Sequence, residues 1–442
     1  MITNTTVQDS NGKALLPFAV FIFAFLGVGI LMEDFYAIPS PIAVFLGIIT
    51  AFLFLKGTSE EKFDTLLKGC GEQKILTMCL IYLLAGAFAT VTSAMGGVDS
   101  TVNLGLSLIP TQFLAAGIFL LAAFLSISTG TSVGAIVALG PIAIGLADNS
   151  GVSLSLLLAS LLGGAMFGDN LSVISDTTIA ATQTQGCKMK DKFKVNLFIA
   201  VPAALITLMI LLFAGNSEPI SQSISHSLTD YSLLSISPYI LVLVLAITGV
   251  NVFTVLTLGT LSAGLIGFFS GNFGLLEFGK QVYEGFNGMS EIFLLSMLTG
   301  GLAALVKEAG GINYLLKKVE GQIRGRKSAQ LGMGALVSLT DLSIANNTVS
   351  IIITGPIAKQ ISETHRIDKR KTAVLIDIFS CITQGILPYG AQVLILLGFT
   401  SGRLTYWELM PNVWYLFILL GFSLLAIYSP LWDRIIQKRM PA

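Results

Sequence analysis

The sequence predicts an all-α polytopic membrane protein built as an inverted repeat. The expected architecture has two re-entrant hairpins, two broken transmembrane helices and about ten full crossings. Three observations predict it. Apolar runs such as Leu15–Met32 and Leu197–Ala214 recur along the chain, and a hydrocarbon core of ~30 Å takes about 20 such residues to cross. Hydrophobic residues make up 54% of the 442 and charged residues only 11%. Polar interruptions of the apolar runs come in pairs at a fixed spacing. The runs are continuous rather than alternating, which excludes a β-barrel.

Composition also excludes function classes. With 25 basic and 25 acidic residues the chain has no net charge, so it is not a basic nucleic-acid binder. Cys70, Cys79, Cys187 and Cys381 lack metal-ligand spacing and read as free thiols. The two histidines, His226 and His365, both fall in hydrophilic connections, so no histidine metal site and no cofactor are expected. The first apolar run is expected to be a membrane segment, because no small-residue cleavage site precedes "MEDFYAIPS".

Basic residues set the topology. They cluster at Lys56–Lys74, at Lys188–Lys194, from Lys317 to Lys327, from Arg366 to Lys371, and in the tail at Arg434, Lys438 and Arg439. By the positive-inside rule these regions and both termini are cytoplasmic. The lysine-poor connections, Glu33–Ser40, Gly97–Pro110, Asp148–Ser153, Gly215–Ser232 and the region around Thr405, then lie outside, with Asn272–Gly288. Crossings are expected near 14–32, 40–56, 75–95, 153–185, 193–214, 235–250, 253–270, 289–306, 371–401 and 411–432.

Gln112–Ala147 and Ala329–Glu363 each begin and end on one side and have polar middles, "SISTGTS" and "LTDLSIANNT". Both are read as re-entrant hairpins. A tight pair of full crossings would keep the same loop sides, but an arm of about 16 residues reaches only some 24 Å. "TSEEKFDTLLKG" and "LLEFGKQVYEGF" read as amphipathic helices lying on opposite membrane surfaces.

The two halves match at one register. "GPIA" occurs at Gly140 and at Gly355, and 355 − 140 = 215. At that offset "TGTSVGAIVALGPIA" lies over "IANNTVSIIITGPIA", and "FGDNLSVISDTT" over "ITQGILPYGAQV". The charge map runs the two copies in opposite directions. An inverted repeat with paired broken helices points to a secondary transporter with its site at the midplane. A passive channel would not need that architecture, and "GDN" alone is too short to mark an intramembrane aspartyl enzyme.

The broken segments carry the chemistry. A continuous helix over Ser153–Gln185 would be about 50 Å long, so an unwinding is expected at Gly168 and the following "DNLS". Asp169 and Asp176, seven residues apart, could approach one ion from two sides, with Asn170, Ser172, Ser175 and Thr177 adding oxygens. Intramembrane acids are functional by default. A carboxylate that loses its cation in a dry site has reason to take a proton. The hairpin tips add Thr129, Thr131 and Ser132 in one copy and Asn346, Asn347 and Thr348 in the other, where capping and ligation compete. Asp341 is a third candidate carrier, and Asp377 could equally make an interhelical bond. In the second break Pro388 explains the interruption, while Gln384 and Gln392 replace the acids.

"GDNLSVISDTTIAAT" resembles the signature of the NhaC family of Na⁺/H⁺ antiporters, within the ion transporter superfamily. The resemblance covers most of the chain and is most specific at Gly168–Thr182. It implies Na⁺/H⁺ exchange in the inner membrane, elevator-like movement, a homodimer and no enzymatic activity. It implies Na⁺ ligands at Asp169, Asn170 and Asp176, with Ser175, Thr177 and the region of Asn346 and Asn347. Some members resemble Na⁺-coupled carriers of organic acids or amino acids, the alternative reading. Partners are then membrane lipid, small ions and, in that alternative, a small organic solute. The division expected is first-repeat scaffold helices with an amphipathic linker (1–95), a first transport half (96–192), second-repeat scaffold helices (193–310), a second transport half (311–410) and a C-terminal helix (411–442).

Overall fold

The computed structural model describes residues 11–27, 39–108, 110–172, 175–214, 231–248 and 250–429. The connection expected at 33–38, most of 215–232 and the basic tail lie outside the described residues, as does His226. All regular structure among the described residues is helical. Six helices are long and apolar enough to cross a bilayer, or eight if each of two bent pairs is one span. Helices such as Pro41–Phe54 and Leu233–Val242 are apolar but shorter, so helix length alone does not yield the expected ten.

The polar middles are turns. Leu114–Thr129 and Ser132–Ser150 form a first helical hairpin, and Arg326–Ile344 with Asn347–Thr364 a second. Leu154–Leu171 and Asp176–Gln185 form a first broken helix, and Lys369–Ile386 with Ala391–Phe399 a second. The hairpin arms hold 16, 19, 19 and 18 residues. At ~1.5 Å per residue the longer arms exceed the length expected from sequence.

Turns recur along the chain at one spacing. Gly130 (φ 72°) reverses the first hairpin, and Ala345 (φ 53°) stands 215 residues later at the second tip. Gly151 and Gly186 likewise precede Arg366 and Ser401 by 215. Ala345, Arg366 and Ser401 are the non-glycine residues with positive φ among the described residues. Contacts are also exchanged at that spacing. A Cβ on Gly140 would meet the Phe399 ring at 2.7 Å, and one on Gly355 would meet Thr184 at 2.5 Å. In each case a glycine in one half of the chain meets a residue of the broken helix in the other half.

A second reciprocal contact interlocks the halves. The amphipathic helix Ser59–Cys70 lies on Ser290–Glu308, where Gly69 meets the Gly300 carbonyl. The amphipathic helix Leu275–Gly288 lies on Gln73–Ala94, where Gly285 meets Gly86. Backbone-to-backbone approach of this kind is how small residues pack helices in a membrane.

Three details differ from the sequence expectation. Gly97–Pro110 is not an open connection: Gly97–Leu108 is a helix whose Val98 and Val102 pack on Gly145 of the first hairpin. The chain does not unwind at Gly168 or over residues 169–171: the helix runs to Leu171 and the next begins at Asp176. Gly168 instead lets the first hairpin approach, since a Cβ there would run into the Ala123 carbonyl oxygen. Helix Met189–Ala214, grouped by sequence with the second-repeat scaffold, packs on both broken helices, the first hairpin and the C-terminal helix Trp414–Tyr428.

Candidate functional site

Both hairpin tips and both breaks meet around one cavity of about 410 Å³. The first hairpin contributes Thr131 and Ser132, and the second Asn346, Asn347 and Thr348. The first break contributes Asp169, Ser175, Asp176 and Thr177, and the second Gln384 and Gln392. Glu72, Gln73, Thr77, Met78 and Ile81, at and near the start of Gln73–Ala94, form the opposite wall.

Four helices begin at this cavity, at Ser132, Asp176, Asn347 and Ala391. Thr131 and Asn346 cap their helices, accepting from the Gly134 and Val349 N–H groups at 3.4 and 3.0 Å. Ser175 and Gly390 make no side-chain cap, so two helix ends keep backbone donors directed at the break. Capping and lining therefore coexist at the tips.

Asp169 is the buried acid at the cavity wall. Its Oδ2 accepts from Ser132 Oγ at 2.8 Å while Oδ1 accepts from Ser175 Oγ at 2.5 Å. Ser175 Oγ lies 2.9 Å from Thr177 Oγ1. Gln392 Nε2 donates to Ser132 Oγ at 3.0 Å, and the Gln384 and Gln392 amides lie 3.2 Å apart. The Gln384 amide is best satisfied with its nitrogen toward Asp341 Oδ1, 3.2 Å away, and its oxygen toward the Ala391 N–H. In that orientation the Gln384 oxygen faces Gln392 Oε1, so the hydrogen bonds form two sets, Gln392–Ser132–Asp169 and Gln384–Asp341, with the two amides side by side.

The remaining candidates stand elsewhere. Asp176 lines the same cavity but is exposed in the first turn of its helix, where a negative charge suits the helix dipole. Asp341 is fully buried behind the second tip, 3.4 Å from Ser350 Oγ, and does not line the cavity. Ser172 donates to the Ile127 carbonyl at 2.9 Å and pins the first hairpin. Thr129 closes its helix, and its side chain lies outside the described residues. Asn170, expected as a Na⁺ ligand, is buried away from the cavity: Asn196 Nδ2 donates to its Oδ1 at 2.5 Å and to its main-chain oxygen at 2.6 Å.

Sequence reasoning missed Lys192 and Asn196. Lys192 counts in the basic cluster after residue 187, yet it is buried. Its Nζ pairs with Asp377 Oδ2 at 2.5 Å and donates to the Asn170 carbonyl at 2.9 Å and to Thr178 Oγ1 at 2.8 Å. The available signal was spacing. Lys192 and Asn196 are four residues apart and so share one helix face with the buried Ile199 and Ala203. Among the described residues no three His, Cys, Asp or Glu side chains gather as a metal cluster. The site is one of hydroxyls, amides and single carboxylates, donors suited to a hard cation with few charges.

A sequence model of the Na⁺/H⁺ antiporter family matches residues 2–216 and 218–427. The chain belongs to the Na⁺/H⁺ antiporter family. Among relatives of this antiporter, the Na⁺/H⁺ antiporter NhaC of Bacillus subtilis is 25% identical, over 87% of this chain and 92% of its own. The malate-2H⁺/Na⁺-lactate antiporter of the same organism is 21% identical, over 96% of each. The YdaH transporter of Alcanivorax borkumensis, a solved structure, is 13% identical with a TM-score of 0.40, over 98% of this chain and 99% of its own. The family and these relatives are transporters rather than enzymes.

Proposed function

We propose that this antiporter exchanges Na⁺ for H⁺ at the cavity around Asp169. The observation that carries the reading is a buried carboxylate held by two hydroxyls at the cavity wall, with no basic side chain paired to it among the described residues. A hard cation can take oxygens from Asp169, Ser132, Ser175 and Thr177. When it leaves, a proton can take its place, and that competition couples the two fluxes. Glu72 and Gln73, exposed residues lining the cavity, adjoin the lysine cluster read as cytoplasmic, and on that reading the cavity opens to the inside.

The recurring turns and reciprocal contacts support an inverted repeat, and the family model falls in two stretches, one on each half. Hairpins, broken helices, Met189–Ala214 and Trp414–Tyr428 form one packed unit. The interlocked pairs at Gly69 and Gly285 form another. The cavity lies between them, and movement of the first unit along the second would carry the cation across, as an elevator. Sealed liposomes with an internal pH dye and an imposed Na⁺ gradient, free of organic solute, test the exchange. Proton movement opposite to Na⁺ is expected, and silence from folded protein would refute it.

A second reading is a Na⁺-coupled organic-acid or amino-acid carrier. It is favoured by a cavity of about 410 Å³, far larger than a bare cation needs, and by two helix N-termini without side-chain caps, at Asp176 and Ala391. The relative that exchanges malate and lactate is consistent with it.

A further inference from the structure

The ammonium of Lys192 has three protons, and each meets an acceptor on a different segment. Asn170 O belongs to the end of Leu154–Leu171, Thr178 Oγ1 to the start of Asp176–Gln185, and Asp377 to the second broken helix. Lys192 thus bridges the first break from behind, on the side away from the cavity, and ties it to the other half. The carbonyl it holds belongs to the residue directly after Asp169. Asn196, one turn along the same helix, holds the same carbonyl at 2.6 Å.

The charges are equally arranged. Asp377 is fully buried, and Lys192 cancels it. That leaves Asp169 as the buried carboxylate that lines the cavity. We infer that Lys192 is a positioning residue for the cation site. It fixes the separation of the two half-helices, sets the direction of Asp169, and keeps Asp377 from acting as a second, competing carboxylate. The inference rests on the reading of this cavity as a Na⁺ site. Nothing in it requires Lys192 to touch the ion.

The test compares the unaltered full-length protein with Lys192→Met, Asp377→Asn and the double variant Lys192→Met/Asp377→Asn. Half-saturating Na⁺ is read from thermal stabilisation in detergent, and maximal rate from Na⁺-driven proton flux in liposomes. Each single variant leaves one buried charge without its partner and is expected to lose yield or flux more than tenfold. The double variant is expected to fold and to recover the maximal rate within about threefold, while its half-saturating Na⁺ stays raised about tenfold, as for loss of an outer-shell support. A double variant with unaltered half-saturating Na⁺ overturns the inference. So does a folded double variant that binds Na⁺ but has no flux, since the lysine would then take part in transport itself. If the unaltered protein is stabilised by Na⁺ yet moves no protons, the exchange reading fails and the Na⁺ titrations still decide the role of Lys192. No stabilisation by Na⁺ refutes both.

Discussion

Asp169, Asp341 and Asp377 lie buried among these helices, and each is balanced differently. Asp377 has a lysine, Asp341 has an amide and a distant hydroxyl, and Asp169 has two hydroxyls and an open cavity. A buried charge without compensation costs several kcal/mol, so of the three Asp169 is the one placed to gain from an arriving cation. Asp176 is exposed and already favoured by its helix end. Asp176→Asn is expected to raise half-saturating Na⁺ only a few-fold, read from the Na⁺ dependence of proton flux; complete loss with folding intact would make it a primary ligand. Ala345 carries a left-handed backbone where its counterpart is Gly130. Ala345→Gly is expected to raise stability by about 1 kcal/mol in thermal unfolding. A fall instead would mean that the Ala345 methyl is needed for packing.

At the scale of elements, helix ends and glycine contacts place the site. Asp368 begins the second broken helix, accepting from the Arg370 N–H at 2.8 Å and pairing with its guanidinium at 2.6 Å. Burial pushes this carboxyl up, but the bonds from Arg370 outweigh it and hold it below its usual range. Its stabilisation is therefore complete above the ordinary carboxylate pKa and is lost as pH falls through its own lower value. Asp368→Ala is expected to cost about 1 kcal/mol at pH 7, and the difference from the unaltered chain should close on strong acidification. The interlock at Gly86 and Gly285 is less forgiving, because a Cβ on Gly86 would collide with the Gly285 carbonyl oxygen. Gly86→Ala is expected to destabilise by about 3 kcal/mol, read as a lowered melting temperature; unchanged melting would mean the contact opens freely.

At the scale of the whole molecule the recurring turns have a consequence for sidedness. Asn149 and Thr364 stand 215 residues apart at equivalent helix ends, and both are exposed. Cysteines placed there are expected to react with impermeant reagent from opposite sides of the membrane, and labelling from one side would remove the inverted repeat. The order of hairpins and breaks was legible because polar residues inside an apolar run mark where a membrane helix is interrupted; a proline alone does not, since Pro141, Pro202, Pro238 and Pro356 lie inside continuous helices. Two short helices, Gly97–Leu108 and Gly311–Glu320, were not, since at 12 and 10 residues with polar residues interspersed they look like connections until a partner packs on them. Asp169, Ser132 and Ser175 could be nominated from sequence. That Asn170 faces away, and that Lys192 is buried rather than solvent-exposed, could not, because the charge rule counts lysines without regard to depth.

The central claim is that the cavity built by both halves around Asp169 holds the cation that is traded for a proton. The most direct measurement is Na⁺-gradient-driven proton flux in sealed liposomes for the unaltered chain beside Asp169→Asn, each first confirmed to be folded. The account predicts prompt flux in the first and a loss of at least a hundredfold in the second. Equal flux in both would contradict it, since the buried carboxylate at the cavity wall would then take no part in exchange.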